Sequence, residues 1–306
     1  MAYFRNRKVN LLNLHYAIHA LAATGGAAFF AVFLLGSGVP APGVLVSIGL
    51  VLLGRFAIRP IVTAFASRHG LRAAVVAGTL LNGVQYPFLA EVHGVGIALA
   101  MLIAMSAMGE TVYWTTYHAY FAALGDDELR GQQIGVREAI GAVVGIVSPL
   151  GTGWMLVTFG PRIAFGTMGV IAALAAAPIL WAPEVRVPRA APGAFRAAIP
   201  GMLLFAADGW LVSGYGLVWQ IALFSSLHDS ILAYGGALAL AALVGAVASL
   251  TLGRHIDAGH GGRAVWYAAG TVTLIAGLRR SPPATPPSPC WRTRWARLAP
   301  VFTCRR

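Results

Sequence analysis

Nine apolar stretches, most of them about 20 residues or longer, dominate the chain and recur with short polar joints between them. They run roughly over 11–35, 43–66, 73–90, 95–121, 134–158, 163–182, 198–225, 231–253 and 264–278, the last being short. A helix needs about 20 residues to cross a hydrocarbon layer of about 30 Å. In lipid every backbone N–H and C=O must be satisfied within the fold, and continuous apolar runs of this length do so as helices. Composition agrees. Only 10% of residues are charged, against about a quarter in a soluble domain, and mean hydropathy is +0.73. The pattern predicts an all-α membrane protein with no soluble domain. Met1 to Asn10 carries Arg5, Arg7 and Lys8 ahead of an apolar run longer than the core of a signal peptide, which reads as a retained first span.

A formal charge of +12 invites a nucleic-acid reading. The basic residues are scattered between apolar runs and form no basic face, so nucleic acid is excluded as a partner. Their placement instead sets orientation. Arg5, Arg7, Lys8, Arg68, Arg72, Arg130, Arg137, Arg186, Arg189, Arg196, Arg254 and Arg263 fall on one side, and only Arg162 falls in the opposite loops before the tail. Positive residues stay in the cytoplasm, so the N-terminus is expected inside, in the cell's inner (plasma) membrane. After six runs the Pro- and Arg-rich segment 183–197 interrupts the rhythm. Six spans, a basic linker and a second series is a two-lobed layout of repeats. The expected divisions are a six-helix lobe over 1–182, a cytoplasmic linker over 183–197, a partial second lobe over 198–278 and an Arg/Pro-rich tail over 279–306.

The joints carry a further pattern. After the eighth run the chain reads Gly253-Arg-His-Ile-Asp257-Ala-Gly-His-Gly261-Gly-Arg263, and after the second Ser67-Arg68-His69-Gly70-Leu71-Arg72. Leu129-Arg130-Gly131-Gln-Gln-Ile-Gly135 leads into a run with Gly141, Gly145, Pro149, Gly151 and Gly153. Over about residues 8–278 the chain resembles the major facilitator superfamily. That family repeats a Gly-x-x-x-Asp-Arg-x-Gly loop after its second and eighth helices and has a Gly- and Pro-rich fifth helix. The resemblance implies a two-lobed helical bundle around a central cavity, here a complete N-terminal lobe and about three helices of the C-terminal one. It assigns gating or structural roles to Arg68, Gly70, Arg72, Arg130, Gly253, Asp257 and Arg263. Ser67 stands where the first loop has Asp and Ala258 where the second has Arg, so those contacts differ here.

Ionisable side chains at membrane depth are functional candidates because burying them is costly. Glu110 lies about fifteen residues into the fourth run, with Trp114 and His118 one and two turns on, on one face. The resemblance places this helix along the cavity. Glu110 reads as an ion-coupling carboxylate beside an aromatic platform, or as the structural partner of Arg55 or Arg59. Counting 1.5 Å per residue puts Glu110 about 22 Å deep and Arg55 about 18 Å. Asp208, with Gln220 further on, is the seventh run's counterpart to Glu110. His15 and His19, one turn apart, could relay protons or simply pack. With no third ligand they are not read as a metal site, and Cys290 and Cys304 make neither zinc spacing nor a disulfide framework. No phosphate loop or nucleophile–base set appears, so neither an enzyme nor a cofactor is expected.

These features lead to a secondary transporter of a small solute working by alternating access, with protons as the candidate coupling ion, and with little transport expected from a chain whose second lobe is partial. The rival is a non-transporting membrane protein of the same ancestry, such as a remnant, receptor or regulatory subunit. The tail from Arg279 departs from the design: it is Pro-rich, holds both cysteines and seven of the 22 basic residues, and would sit outside. It reads as the product of a shifted frame. Sequencing the coding DNA around Leu278 is expected to show, one base earlier, a frame rich in apolar codons. A frame whose alternatives are all polar or interrupted there would contradict that reading.

Overall fold

The computed structural model describes residues 6–126, 130–187, 193–212 and 218–255, together with Arg263, Trp266, Tyr267, Gly270, Thr271, Thr273 and Leu274. Among these the regular elements are helices: α1 (Arg7–Gly36), α2 (Ala41–His69), α3 (Leu71–Ala90), α4 (Ile97–Leu124), α5 (Arg130–Phe159), α6 (Pro161–Leu180), α7 (Ala194–Val212), α8 (Val218–Ser226) and α9 (Ile231–His255). Seven described segments, α1 to α4, Gln133–Phe159 of α5, α6 and Ile231–Ala248 of α9, are long and apolar enough to cross a membrane. Where one span was expected over 198–225, α7 and α8 flank 213–217, which lie outside the described residues. So do Asp257, most of the ninth run and the tail. The chain forms two compact units, Met1–Val244 and Gly245–Arg306.

The helix ends follow local chemistry. Asn6 precedes α1 in extended backbone, and its side-chain oxygen accepts from Lys8 N at 3.1 Å and Val9 N at 3.2 Å, satisfying two of the four unpaired donors of a helix start. Its amide donates to Leu124 O at 3.2 Å and to both Asp126 oxygens at 3.1 Å, tying the start of α1 to the end of α4. Asp126 also accepts from Gln133 Nε2 at 2.8 Å. The joint after α4 is therefore pinned at Asp126. Proline opens α2 and α6 within the first two positions, where no N–H is needed. Single glycines in the left-handed region, Gly70 at φ +86° and Gly160 at φ +81°, make the turns from α2 to α3 and from α5 to α6.

Packing is tightest around α3. A Cβ added at Gly78 would lie 2.5 Å from the Tyr113 backbone nitrogen, and one at Gly109 would lie 2.7 Å from that of Asn82. The α3 and α4 backbones therefore touch through reciprocal glycines. On the other flank Gly83 and Gly169 face each other's carbonyls, at 3.1 and 3.2 Å from the added Cβ, bringing α6 against α3. Contacts of this kind hold helices together in lipid, where apolar surface alone gives no preference for protein over solvent. The glycines read from sequence on α5 are less uniform: Gly153 meets Phe29 and Gly145 meets Ala242, while Gly151 faces open space. Leu53, Phe56 and Ile61 on α2 and Val170 and Leu174 on α6 are exposed, as lipid-facing side chains are.

At the end of the bundle where α3 stops and α6 starts, Arg162 donates Nε to Glu91 Oε1 at 2.7 Å and Nη2 to Oε2 at 3.0 Å. The guanidinium holds the Glu91 carboxyl below the ordinary carboxylate range. This contact is present above the unfolded carboxylate pKa and fades as pH falls through the folded value. Exposure and screening keep it weak.

Gly78→Ala or Gly109→Ala is expected to destabilise the detergent-solubilised protein by about 1–3 kcal/mol through overpacking. Gly151→Ala should leave it unchanged. Thermal unfolding of the three variants checks this.

Candidate functional site

Within the first unit a cavity of about 930 Å³ lies among α1, α2, α3, α4 and α5, with Gly209 of α7, Gln220 of α8 and Leu238 and Ala242 of α9 also lining it. Its walls are mainly apolar. Most of the polar exceptions come from three helices, Arg55 from α2, Asn82 and Gln85 from α3, and Ser106 and Glu110 from α4, with Thr24 of α1 and Gln220 of α8 beside them. Arg55 is fourteen residues from the start of α2 and Glu110 thirteen from the start of α4. At 1.5 Å per residue both sit about 20 Å from that end of the bundle. Arg55 Nη1 donates to Glu110 Oε2 at 2.6 Å, with the side chains 28% and 30% exposed. The pair is thus in contact and open to the cavity at once.

A chain of hydrogen bonds runs from this wall into the protein. Ser106 Oγ donates to Gln85 Oε1 at 2.7 Å, and Gln85 Nε2 donates to the Asn82 side-chain oxygen. Asn82 Nδ2 meets His19 Nε2 at 3.3 Å. His19 is buried and stacks on Tyr113 with ring centres 3.8 Å apart and on His15 at 5.8 Å. His15 Nδ1 lies 2.6 Å from Ala175 O, which fixes it as the donor nitrogen. On a neutral ring Nε2 then accepts from Tyr113 OH at 3.1 Å. Tyr113, Tyr117 and Tyr120 are fully buried on α4 beneath the cavity and pack with Leu12 and Ile179. One half of the bundle therefore carries the cavity, and the other is filled by aromatic rings.

The predicted residues divide as follows. Glu110, Trp114, Arg55 and Gln220 line the cavity. His118 stacks on Trp114 with centres 5.4 Å apart but is exposed and outside the lining. His15 and His19 lie behind the wall. Asp208 is on α7 beside cavity-lining Gly209, its side chain outside the described residues. Arg59 and Arg68 are exposed on α2, and Arg263 is exposed in a helical position. Arg130 opens α5 and Gly253 lies on α9, their side-chain surroundings outside the described residues. Gly70 and Arg72 form a distinct node with a partner the sequence did not suggest. Glu184 accepts from Arg72 N at 3.0 Å and pairs with Arg72 Nε at 3.4 Å. Leu71 N donates to Val185 O at 2.8 Å, Arg72 Nη1 to Ala182 O at 3.3 Å, and Tyr120 OH to Pro183 O. The segment after α6 is thus strapped across the start of α3, while Ser67, in place of the family's Asp, donates its hydroxyl to Ala64 O within its own helix. Asn82, Gln85 and Ser106 were also missed. Three polar side chains within the apolar runs 73–90 and 95–121 were the available signal.

The sequence pattern of the Major Facilitator Superfamily matches residues 12–291. The chain belongs to this family of multi-pass membrane transport proteins. No curated protein matches it. Among solved structures it is similar to the POT family transporter PepTSo, with a TM-score of 0.50 and 16% identity, covering 89% of this chain and 58% of that one. It is also similar to an auto-inhibited POT family peptide transporter, with a TM-score of 0.46 and 18% identity, covering 88% of this chain and 57% of that one. The chain thus spans less than two thirds of the length of these neighbours. The first likeness supports the helical fold alone.

Removing one member of the Arg55–Glu110 pair strands the other charge in an apolar setting, so Arg55→Gln and Glu110→Gln should each lower the unfolding temperature. The double variant should recover part of the loss, with a coupling of about 1–3 kcal/mol in a double-mutant cycle. Additive losses would mean that the contact contributes nothing to stability.

Proposed function

We propose that the protein is a secondary transporter carrying a small solute through the Arg55–Glu110 cavity by alternating access. The observation that carries this reading is the pair itself: two opposite charges about 20 Å deep, bonded to each other and still exposed to one cavity. Ionisable groups at that depth mark substrate or ion pathways. The N-terminus is cytoplasmic in the inner membrane, in keeping with the asymmetry of Lys and Arg. Arg162, the exception to that asymmetry, is matched by Glu91. In this orientation the cavity occupies the outer half of the bundle, and Tyr113, Tyr117 and His15 close the inner half.

The lobes divide at the basic segment 183–197, six helices before it and α7 to α9 after it. Glu110 and Asp208 are the carboxylates for ion coupling. His19, joined to the cavity wall through Asn82, is the residue through which a proton would leave or enter the wall. The strap at Glu184 and Arg72 holds the inner ends of α3 and α4 against the start of the linker, in the place of the family's loop carboxylate.

Purified protein in proteoliposomes, challenged with a panel of labelled amino acids, sugars, organic acids and amines, should show saturable uptake of at least one solute. Uptake should fall at least about tenfold in Glu110→Gln, the loss of one charged contact. Accumulation should follow an imposed proton gradient and collapse when a protonophore dissipates it. Binding without flux across the whole panel would instead favour a receptor-like protein.

A further inference from the structure

The charges exposed to the cavity restrict what it can hold. Among its described lining residues Arg55 and Glu110 are the only charged ones, and they are bonded to each other. The remaining walls are mainly apolar, with Ile48, Leu52 and Leu89 among them, and carboxamides and hydroxyls rather than charges supply the other polar contacts. In such surroundings any ligand must leave the charges balanced. An anion that captures Arg55 strands Glu110, and a cation that captures Glu110 strands Arg55. Each outcome leaves an unpaired charge away from water. A neutral ligand leaves the pair intact but strips away the water it still touches.

We propose that the cavity binds a small zwitterion with an apolar body, its anionic group on Arg55 and its cationic group between Glu110 and the Trp114 ring. Such a ligand exchanges one internal ion pair for two external ones and leaves net charge unchanged. The geometry supports each half. Guanidinium binds a carboxylate through two parallel N–H donors, and only one Arg55–Glu110 hydrogen bond has to part. Glu110 and Trp114 are one helical turn apart and both line the cavity, so a cation drawn to the carboxylate lies beside the indole. The volume of about 930 Å³ suits a ligand of amino-acid size with solvent or a larger side chain beside it. The proposal rests on the reading of this cavity as the solute site.

The test uses the full chain in lipid nanodiscs and calorimetric titration with four probes. L-phenylalanine and L-leucine are zwitterions; 2-phenylethylamine and 3-phenylpropanoate keep only the amine or the carboxylate of phenylalanine. At least one zwitterion should bind at least about tenfold tighter than either single-charge probe, the difference made by one charged contact. Glu110→Gln should then favour 3-phenylpropanoate and Arg55→Gln should favour 2-phenylethylamine, each variant preferring the ligand that matches its remaining charge. Binding of neither zwitterion would overturn the proposal, as would a single-charge probe binding the unaltered protein as tightly. The four-probe comparison on that protein decides the matter even if the variants fail to fold. Flux measured on the same preparation separates the two readings. Zwitterion binding without flux supports this assignment and counts against transport. Flux of another solute without zwitterion binding overturns this assignment and leaves transport standing.

Discussion

Arg55 and Glu110 meet at 2.6 Å about 20 Å into a bundle whose other exposed side chains are largely apolar. Either charge alone would be expensive there, and the pair is tolerable because each supplies the other's partner. Much of the surrounding architecture bears on keeping them opposed. Arg55 comes from α2 and Glu110 from α4, so their separation depends on how closely α4 is held to the bundle. The reciprocal glycines Gly78 and Gly109 fix α4 against α3, and Gly83 and Gly169 fix α3 against α6. A bulkier residue at any of these would widen the helix spacing and move the carboxylate. The cavity and the close packing behind it are in this sense one structure.

The same helix carries two chemistries. Ser106, Glu110 and Trp114 face the cavity, while Tyr113, Tyr117 and Tyr120 are buried toward α1 and α6. The hydrogen bond from Asn82 to His19 joins the two faces; beyond His19 the link is ring stacking on Tyr113 and His15, and His15 bonds in turn to Tyr113 and to the carbonyl of Ala175. A change at the cavity wall therefore reaches the helix contacts of the other half of the bundle first through hydrogen bonds and then through stacked rings. At that closed end the Glu184 strap ties α3 and α4 to the segment leading into α7, so movement of that segment would load the same helices.

Most of the helices were legible in the sequence because their apolar runs are long enough to cross a bilayer and are bounded by Pro, Gly or charge. The single-residue turns at Gly70 and Gly160 needed only the local rule for left-handed backbone. Arg55 and Glu110 were legible because charge within an apolar run is conspicuous, and helical rise alone brought them to similar depth. Asn82, Gln85 and Ser106 were harder to read: a carboxamide or hydroxyl in an apolar run can bond its own helix, as Thr79, Thr111 and Thr116 do. The small residues of α5 drew attention, yet the closest backbone contacts belong to α3, because glycine content does not say which face meets a neighbour. The docking of Glu184 was hidden for a different reason. A Pro- and Arg-rich segment reads as solvated linker, and its single carboxylate finds Arg72 only through the fold.

The central claim is that this cavity opens to both sides of the membrane in turn. Ala27, exposed on the cavity wall of α1, offers the direct test. Ala27→Cys, in a variant with Cys290 and Cys304 replaced by Ser, can be exposed in sealed vesicles of known orientation to an impermeant thiol reagent applied from one side or the other. Alternating access predicts labelling from either side, with the two rates shifting in opposite directions when a bound solute biases the conformations. Labelling confined to one side under every condition would contradict it.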